Sequence, residues 1–297
     1  MGFPPGWAHR HAGSALSRFV TTLQEVLAPT PAPRNPGQDQ NGPSEYHLSL
    51  AIDAADVLAA QRLRQNVFGT ECGALTPGPE GLDADRFDDL CDHLLVRTVP
   101  DDIVHRGEAV ATYRLLPPHA NDVQPRGHGF YSHTEFDLSP LEGLLDRTVE
   151  AGRSCVAAGH RGAAPISMLW GGIARYMEMT GYQFLMGCAS ISLADGGATA
   201  AAFADRAERD HQASPELRCR PRRPFEAAGI ERPDRWVVPP LLRGYLRLGA
   251  VVCGPPALDA NFGTADFLVL LDLDRADRRY LRFFSSVAAG STLPVAT

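Results

Sequence analysis

The sequence predicts an α/β fold of the α+β kind, with a mixed central sheet flanked by helices, and two observations carry this. Five stretches with strand-type apolar patterning are interrupted twice by helical periodicity, in the order β, α, β, β, β, α, β. Such an alternation buries its apolar faces by packing helices against a mixed sheet. The chain has 297 residues and 44% hydrophobic content, enough to close a full core.

Each element follows from a local pattern. Residues 1–44 read as an appendage: Ala15, Leu16, Phe19, Leu23 and Val26 fit a short helix, and the proline-rich run over 29–43 fits a mobile linker. The main domain is expected over 45–297. Tyr46, Leu48, Leu50 and Ile52 alternate as in a strand, and Asp53 then caps a helix whose Val57, Ala60, Leu63 and Val67 form one stripe. Arg64 lies at the edge of that stripe, where an exposed charge is not expected. Strands are predicted over 94–99, 109–116, 148–157 and 184–191, with a helix over 166–180 between the last two. From about 195 an extension follows, made of an Ala-rich helix, a basic turn-rich stretch and a final α/β segment. No internal repeat is present.

Composition excludes several classes. The 28 basic and 35 acidic residues leave a net charge of −7, which recommends no nucleic-acid partner and requires any anionic partner to be met by a local basic patch. Every basic residue is Arg, so a Schiff-base lysine and a phosphate-loop lysine are both excluded. The six cysteines, Cys72, Cys91, Cys155, Cys188, Cys219 and Cys253, show no short paired spacing of the zinc or redox-dithiol kind, so no metal site is expected. Reduced thiols in a cytoplasmic chain are the expectation. No apolar run approaches the roughly 20 residues of a membrane span, and no signal-type leader opens the sequence, so any contact with the inner membrane face would be peripheral.

Charged residues stand where a sheet-top crevice is expected. Asp85, Phe87, Asp88 and Asp89 lead into the second strand, with the spacing of a solvated acidic turn or of a functional cluster. Arg114 ends an apolar strand just before Leu115, Leu116 and Pro117. Glu150, Gly152 and Arg153 fall within one strand, where alternation puts Glu150 and Gly152 on one face and Arg153 on the other. A buried ion pair is the structural alternative for these charges. The run Gly152-Arg153-Ser154-Cys155-Val156, near His160, approaches a serine-hydrolase nucleophile elbow, but Val156 replaces the second glycine that permits the strained turn. Cys155 and Cys188 read as small buried thiols. No histidine has the aspartate spacing of a glycerolipid-type acyltransferase, and His133 to Asp137 is one residue too short.

These residues occur in one recognisable order. Arg64 and Phe68, Asp85-Arg86-Phe87-Asp88, Arg114 before Leu-Leu-Pro, and Glu150-Ala151-Gly152-Arg153 together resemble the signature of acyl-homoserine-lactone synthases. That family has the GNAT fold and takes its acyl chain from acyl carrier protein. Ala74, where those synthases carry tryptophan, argues against membership of that branch. The segments 150–156, 239–247 and 261–266 (Asn-Phe-Gly-Thr-Ala-Asp) resemble the ornithine N-acyltransferases of ornithine-lipid synthesis, often labelled hemolysin-like. The resemblance covers about 63–284.

The resemblance implies a GNAT-like N-acyltransferase moving a fatty acyl or 3-hydroxyacyl group from acyl carrier protein to the α-amine of an amino acid such as ornithine. A lactone-type signal synthase and a non-catalytic acyl-carrier or lipid binder are the alternatives. No tightly bound cofactor is implied; the phosphopantetheine thioester is a co-substrate, and acyl-CoA is a second possible donor. In such chemistry the acceptor amine attacks the thioester directly. Glu150 is then the expected base, acting through water. Arg64, Arg114 and Arg153 are candidates for the acceptor carboxylate, because a guanidinium offers a planar fork of donors. Phe68 belongs to the same substrate set, and Asp85 and Asp88 are candidates for an acceptor ammonium. Arg161 and Gly162, in the turn that opens the helix near 166, are placed to cradle the pantetheine phosphate. Arg218, Arg220, Arg222 and Arg223 crowd four charges into six residues of an acidic chain, a candidate dock for an acidic carrier protein or, alternatively, anionic lipid.

Overall fold

The computed structural model describes residues 46–99, 106–118 and 129–277. The expected helix near 15–26, the linker over 29–43 and the chain beyond 277 lie outside the described residues. The strands are β1 (Tyr46–Leu50), β2 (Asp92–Thr98), β3 (Ala109–Leu116), β4 (Phe136–Asp137), β5 (Thr148–Val156), β6 (Phe184–Ser192), β7 (Arg220–Pro221), β8 (Val251–Val252), β9 (Ala257–Asp259) and β10 (Thr264–Asp272). The α-helices are α1 (Ala54–Arg64), α2 (Ala163–Thr180), α3 (Ala198–Asp210) and α4 (Pro240–Leu248). The main sheet runs β1-β2-β3-β5-β6-β10-β8, with β9 paired to β10, while β4 and β7 form a separate ribbon. All pairings in the main sheet are antiparallel except β5 with β6.

Local chemistry sets the element ends. Asp53 accepts the amide of Asp56 at 2.9 Å and caps α1. At the other end α1 passes into a π-helical segment, Gln65–Glu71, so Val67 completes the apolar stripe from within that wider turn. Helix α2 starts three residues earlier than its periodicity suggests, with Gly162 as N-cap, and stops where Gly181 takes a left-handed conformation. One face of the sheet is covered by α2, α3 and α4 through Met168, Trp170, Ile173, Phe203, Leu242 and Tyr245. The other carries a second core of Phe87, Phe130, Phe136, Leu138 and Leu141 against Met186, Leu268 and Leu270.

Two features of β5 create the site. Its parallel pairing with β6 is confined to Thr148–Glu150, so beyond Glu150 the two strands separate. At the fork Gly187 of β6 packs so closely that a Cβ there would lie 2.3 Å from the Ala151 carbonyl oxygen. On the opposite edge the register with β3 slips: Thr112 faces Cys155 but Arg114 faces Gly152, so Arg153 and Ser154 together oppose Tyr113. This is a β-bulge, and Arg153 sits in it at φ 53°, the left-handed region that non-glycine residues rarely enter. The bulge overturns the expectation that Arg153 points away from Glu150's face. Its guanidinium instead meets Asp83 and Asp85, in the same cluster as Arg114.

Candidate active site

Three arginines and three aspartates interlock beneath the fork. Arg64 has no exposed surface; its Nε donates to Asp83 Oδ2 at 2.9 Å and its Nη2 to Asp88 Oδ1 at 2.8 Å. Arg114 Nη1 donates to Asp85 at 2.7 Å and to Asp88 at 3.2 Å. Arg153 Nη2 reaches Asp85 Oδ2 at 3.4 Å. Its Nε lies 3.3 Å from Asp83 Oδ2 but is misaligned, and remains buried without a hydrogen-bond partner. Burial alone would raise Asp88, but Arg64 and Arg114 outweigh it and hold the carboxyl at about 2. Burial lowers His93 to about 4, so it is neutral near pH 7 and its contact with Asp88 is a hydrogen bond through the backbone carbonyl, not an ion pair. The acidic turn is therefore a compensated, buried network rather than a solvated loop. It brings Asp85, Asp88, Arg64, Arg114 and Arg153 together as the sequence suggested, but with Arg64 and Asp88 committed to each other.

Above this network opens a cavity of about 360 Å³ and mixed character, in which the charged groups of Arg114, Glu150, Arg153 and Asp266 share the lining with Phe68 and Gly152. Arg64 is not in its lining. Glu150, 4% exposed, accepts the amides of Tyr131 and Ser132 and the Ser132 hydroxyl. Burial pushes its carboxyl above the ordinary value, against these hydrogen bonds, which favour the charge. Glu150 thus makes no ion pair with Arg153. Arg153 lies instead over the rings of Tyr131 and Phe262, 5.0 and 4.7 Å from their centroids.

A second cavity of about 310 Å³ is mainly apolar, lined by Val67, Phe68, Tyr113, Cys155, Ile166, Leu169, Trp170, Leu241 and neighbours. Both cavities share Phe68, Tyr113, Ser154 and Leu241, so they meet beside the bulge of β5. Burial raises the thiols of Cys155 and Cys188 and removes thiolate character from both. Strand β5 runs on through Val156, and His160 Nδ1 is engaged with the Tyr46 hydroxyl at 2.9 Å, so no hydrolase elbow forms.

Arg161 lines the apolar cavity, pairs with Glu71 and donates to the Val156 carbonyl at 3.2 Å. Gly162 beside it caps α2 without a side-chain bond, leaving the first amides of that helix to a ligand or solvent. The four arginines of 218–223 are exposed. Arg218 donates to the Ala213 carbonyl at 3.0 Å and Arg222 to the His133 carbonyl at 2.6 Å. The Arg223 carbonyl accepts the amide of Leu258, so the patch flanks β9. Among the described residues no group of His, Cys, Asp and Glu is arranged to hold a metal ion, and no helix is long and apolar enough to cross a membrane.

A family model described as an acetyltransferase (GNAT) domain matches residues 63–171. An L-ornithine N(alpha)-acyltransferase of Brucella abortus (strain 2308) is 34% identical over 262 residues, covering 81% of this chain and 89% of that protein. One of Rhodobacter capsulatus is 35% identical over 260 residues, covering 84% of this chain and 98% of its own length. The chain belongs to the L-ornithine N(alpha)-acyltransferase family. It is a GNAT-type N-acyltransferase, as the motif order implied. Among solved structures a CoA-dependent acyl-homoserine lactone synthase is similar to it at 14% identity and a TM-score of 0.46, over 82% of this chain and 90% of that one.

Several residues of the site carry no signal that sequence reasoning used. Tyr131 and Ser132 reach Glu150 from a 3₁₀ turn with no motif of its own. Asp83 stands two residues before the recognised acidic run, and Asp259 and Asp266 come from the far end of the sheet. Asp266 closes the motif at 261–266, which marked it as characteristic without assigning it a role.

Proposed function

We propose that this chain transfers a fatty acyl group from a phosphopantetheine thioester, carried by acyl carrier protein, to the α-amine of ornithine. The observation that carries this reading is the meeting of an apolar cavity with one that holds the charged groups, at the point where β5 leaves β6 and with Glu150 at the fork. The acyl chain suits the apolar cavity, where Leu169, Trp170 and Leu241 exclude water, and the zwitterionic acceptor suits the cavity that holds the arginines and carboxylates. Glu150, held in one orientation by Tyr131 and Ser132, accepts a proton from the acceptor ammonium through a water molecule. The freed amine attacks the thioester carbonyl, the carbonyl oxygen gains charge, and the C–S bond breaks to release the thiol. Backbone amides of β5 beyond Glu150, on the edge that has left β6, are the donors available to that oxygen.

Arg153 and Arg114 serve the acceptor carboxylate in this scheme, and Phe68 lies at the junction of the two cavities. Arg64, Asp85 and Asp88 support them from below: with its guanidinium enclosed, Arg64 acts by fixing the aspartates that position Arg114 and Arg153. Arg161 and the open amides after Gly162 suit the pantetheine phosphate. Arg218, Arg220, Arg222 and Arg223 suit the acidic carrier, and the same charges would favour peripheral contact with an anionic membrane. Incubating the purified chain with acyl-carrier protein or acyl-CoA and ornithine, followed by mass spectrometry, should give an N-acyl-ornithine, faster from the carrier. No such product from either donor would refute the reading, and a lactone made from an S-adenosyl donor would favour the signal-synthase alternative.

A further inference from the structure

The described residues contain two acidic triplets near the cleft, and only one is met by arginines at ion-pair distance. Asp83, Asp85 and Asp88 are matched by Arg64, Arg114 and Arg153. Glu135, Asp259 and Asp266 have no arginine at ion-pair distance among the described residues. Asp259 and Asp266 are 7% and 3% exposed, and both line the larger cavity together with Glu150 and Arg153. Their neutral partners are few: Asp259 Oδ1 accepts the amides of Asn261 and Phe262 at 2.9 and 3.1 Å, and Asp266 is hydrogen-bonded by the side chain of Ser190 and by the Thr264 hydroxyl, the latter to Oδ1 at 2.8 Å. Buried carboxylates without a counter-ion are costly unless they take up a proton or a ligand brings the missing charge. Burial, with the neighbouring carboxylates adding to it, raises Glu135 and Asp266 to about 6 each, and Arg223 and Arg153 oppose this only from beyond ion-pair distance.

A separate observation points to a ligand of mixed charge. Arg153, with nine-tenths of its side chain buried, lines the same cavity and leaves Nε without a hydrogen-bond partner. One cavity therefore holds a guanidinium that is only loosely engaged, with Nε misaligned at 3.3 Å from Asp83 and Nη2 at 3.4 Å from Asp85, and across from it carboxylates with no arginine at ion-pair distance. Strand order sets the spacing of the two. Asp266 pairs with Ser190 on the far edge of β6, whereas Arg153 stands on β5, so the open fork lies between them.

We infer that Asp259 and Asp266, with Glu135 behind them, receive the side-chain ammonium of a diamino-acid acceptor while Arg153 takes its carboxylate. This deepens the amino-acid acylation reading and rests on it for the choice of acceptor. It also moves the ammonium site away from Asp85 and Asp88, whose charges are already taken. The α-amine is then left free over the fork, within reach of Glu150 through water, so the contact at the far end fixes which of the two amines is acylated.

The test compares ornithine with 2-aminopentanoic acid, which has the same carbon chain without the terminal amine, on the full chain and on Asp266→Asn. Asn keeps the shape and the bonds to Thr264 and Ser190 while removing the charge. The parent should favour ornithine strongly in kcat/KM, and the variant should lose about 30-fold or more for ornithine through KM, with little change for the analogue. Calorimetric titration of both amino acids into the protein without donor gives a readout independent of turnover. Asp266-dependent preference for ornithine in that titration supports the inference even if no acyl transfer is seen, in which case the reaction reading fails alone. Equal binding of the two amino acids by the parent, or equal loss of both in the variant, would overturn the inference whatever the activity.

Discussion

Replacing Arg64 by methionine tests whether the motif's first arginine holds the site together or touches substrate. Methionine retains much of the apolar stem and removes the guanidinium, leaving Asp83 and Asp88 short of one charge. Breaking a buried ion pair from one side costs about 3–5 kcal/mol. Here Arg153 stays 3.3 Å from Asp83 and Arg114 stays 3.2 Å from Asp88, so the lower end, about 3 kcal/mol, is expected. Acidity supplies a second measure. Burial would raise Asp88, but Arg64 and Arg114 together hold it at about 2 against an ordinary 3.8. A carboxyl depressed in the folded state contributes stability above its unfolded pKa and loses that contribution as pH falls through the folded value. For Asp88 the window is about pH 4 to 2, and the shift corresponds to about 2 kcal/mol. Without Arg64 much of the depression disappears, so the difference between parent and variant should be largest at pH 7 and shrink on acidification through pH 4. Urea denaturation at stepped pH, with coincident fluorescence and circular dichroism transitions, measures both. A loss under 1 kcal/mol at pH 7, or one that does not shrink in acid, would refute the reasoning. Normal stability with a selective rise in acceptor KM would return Arg64 to substrate contact.

The other predictions probe chemistry, fold and donor in turn. Glu150→Gln removes the base, and its single amide oxygen can accept from Tyr131 or from Ser132 but not from both, so turnover at saturating substrates should fall by about 10²-fold or more, with the denaturation midpoint measured alongside to separate lost chemistry from lost folding. Because burial raises the Glu150 carboxyl and the base works only when ionised, parent kcat should fall on acidification with a midpoint above 4.5, and this limb should vanish in the variant; full activity with normal folding would exclude Glu150. Gly187→Ala would place a Cβ 2.3 Å from a backbone oxygen that cannot swing aside, and should destabilise the chain by about 1–3 kcal/mol in denaturant titration. An unchanged midpoint would show that the fork is looser than its packing indicates. Reversing Arg222 and Arg223 to Glu should raise KM for acyl-carrier protein and flatten its salt dependence while sparing a short acyl-pantetheine donor. Equal loss with both donors would assign the patch to the fold, where Arg222 already ties β7 to the His133 turn.

Local pattern alone placed the principal strands and helices of this protein as far as β6. Alternating apolar residues placed β1, β3, β5 and β6, and the Asp53 cap and α2 stripe placed two helices, because burial on a strand or helix face is written in the residues of that segment. The order of charged residues pointed to the family and singled out Glu150, Arg114 and Arg153, which line one cavity. Tertiary structure alone decided what each charge does. Arg64 reads the same from sequence whether it faces solvent, substrate or a carboxylate, and only the packing of α1 against Asp83, Asp88 and His93 encloses it. Arg153 was assigned to the wrong face because a bulge changes strand parity, and a bulge is set by register with a neighbouring strand rather than by its own residues. Asp259 and Asp266 enter the cleft because β10 pairs with β6 across more than seventy residues of intervening sequence. Periodicity is a property of neighbours along the chain, whereas electrostatic partnership depends on sheet order, register and the exclusion of water, which exist only once the distant strands have met.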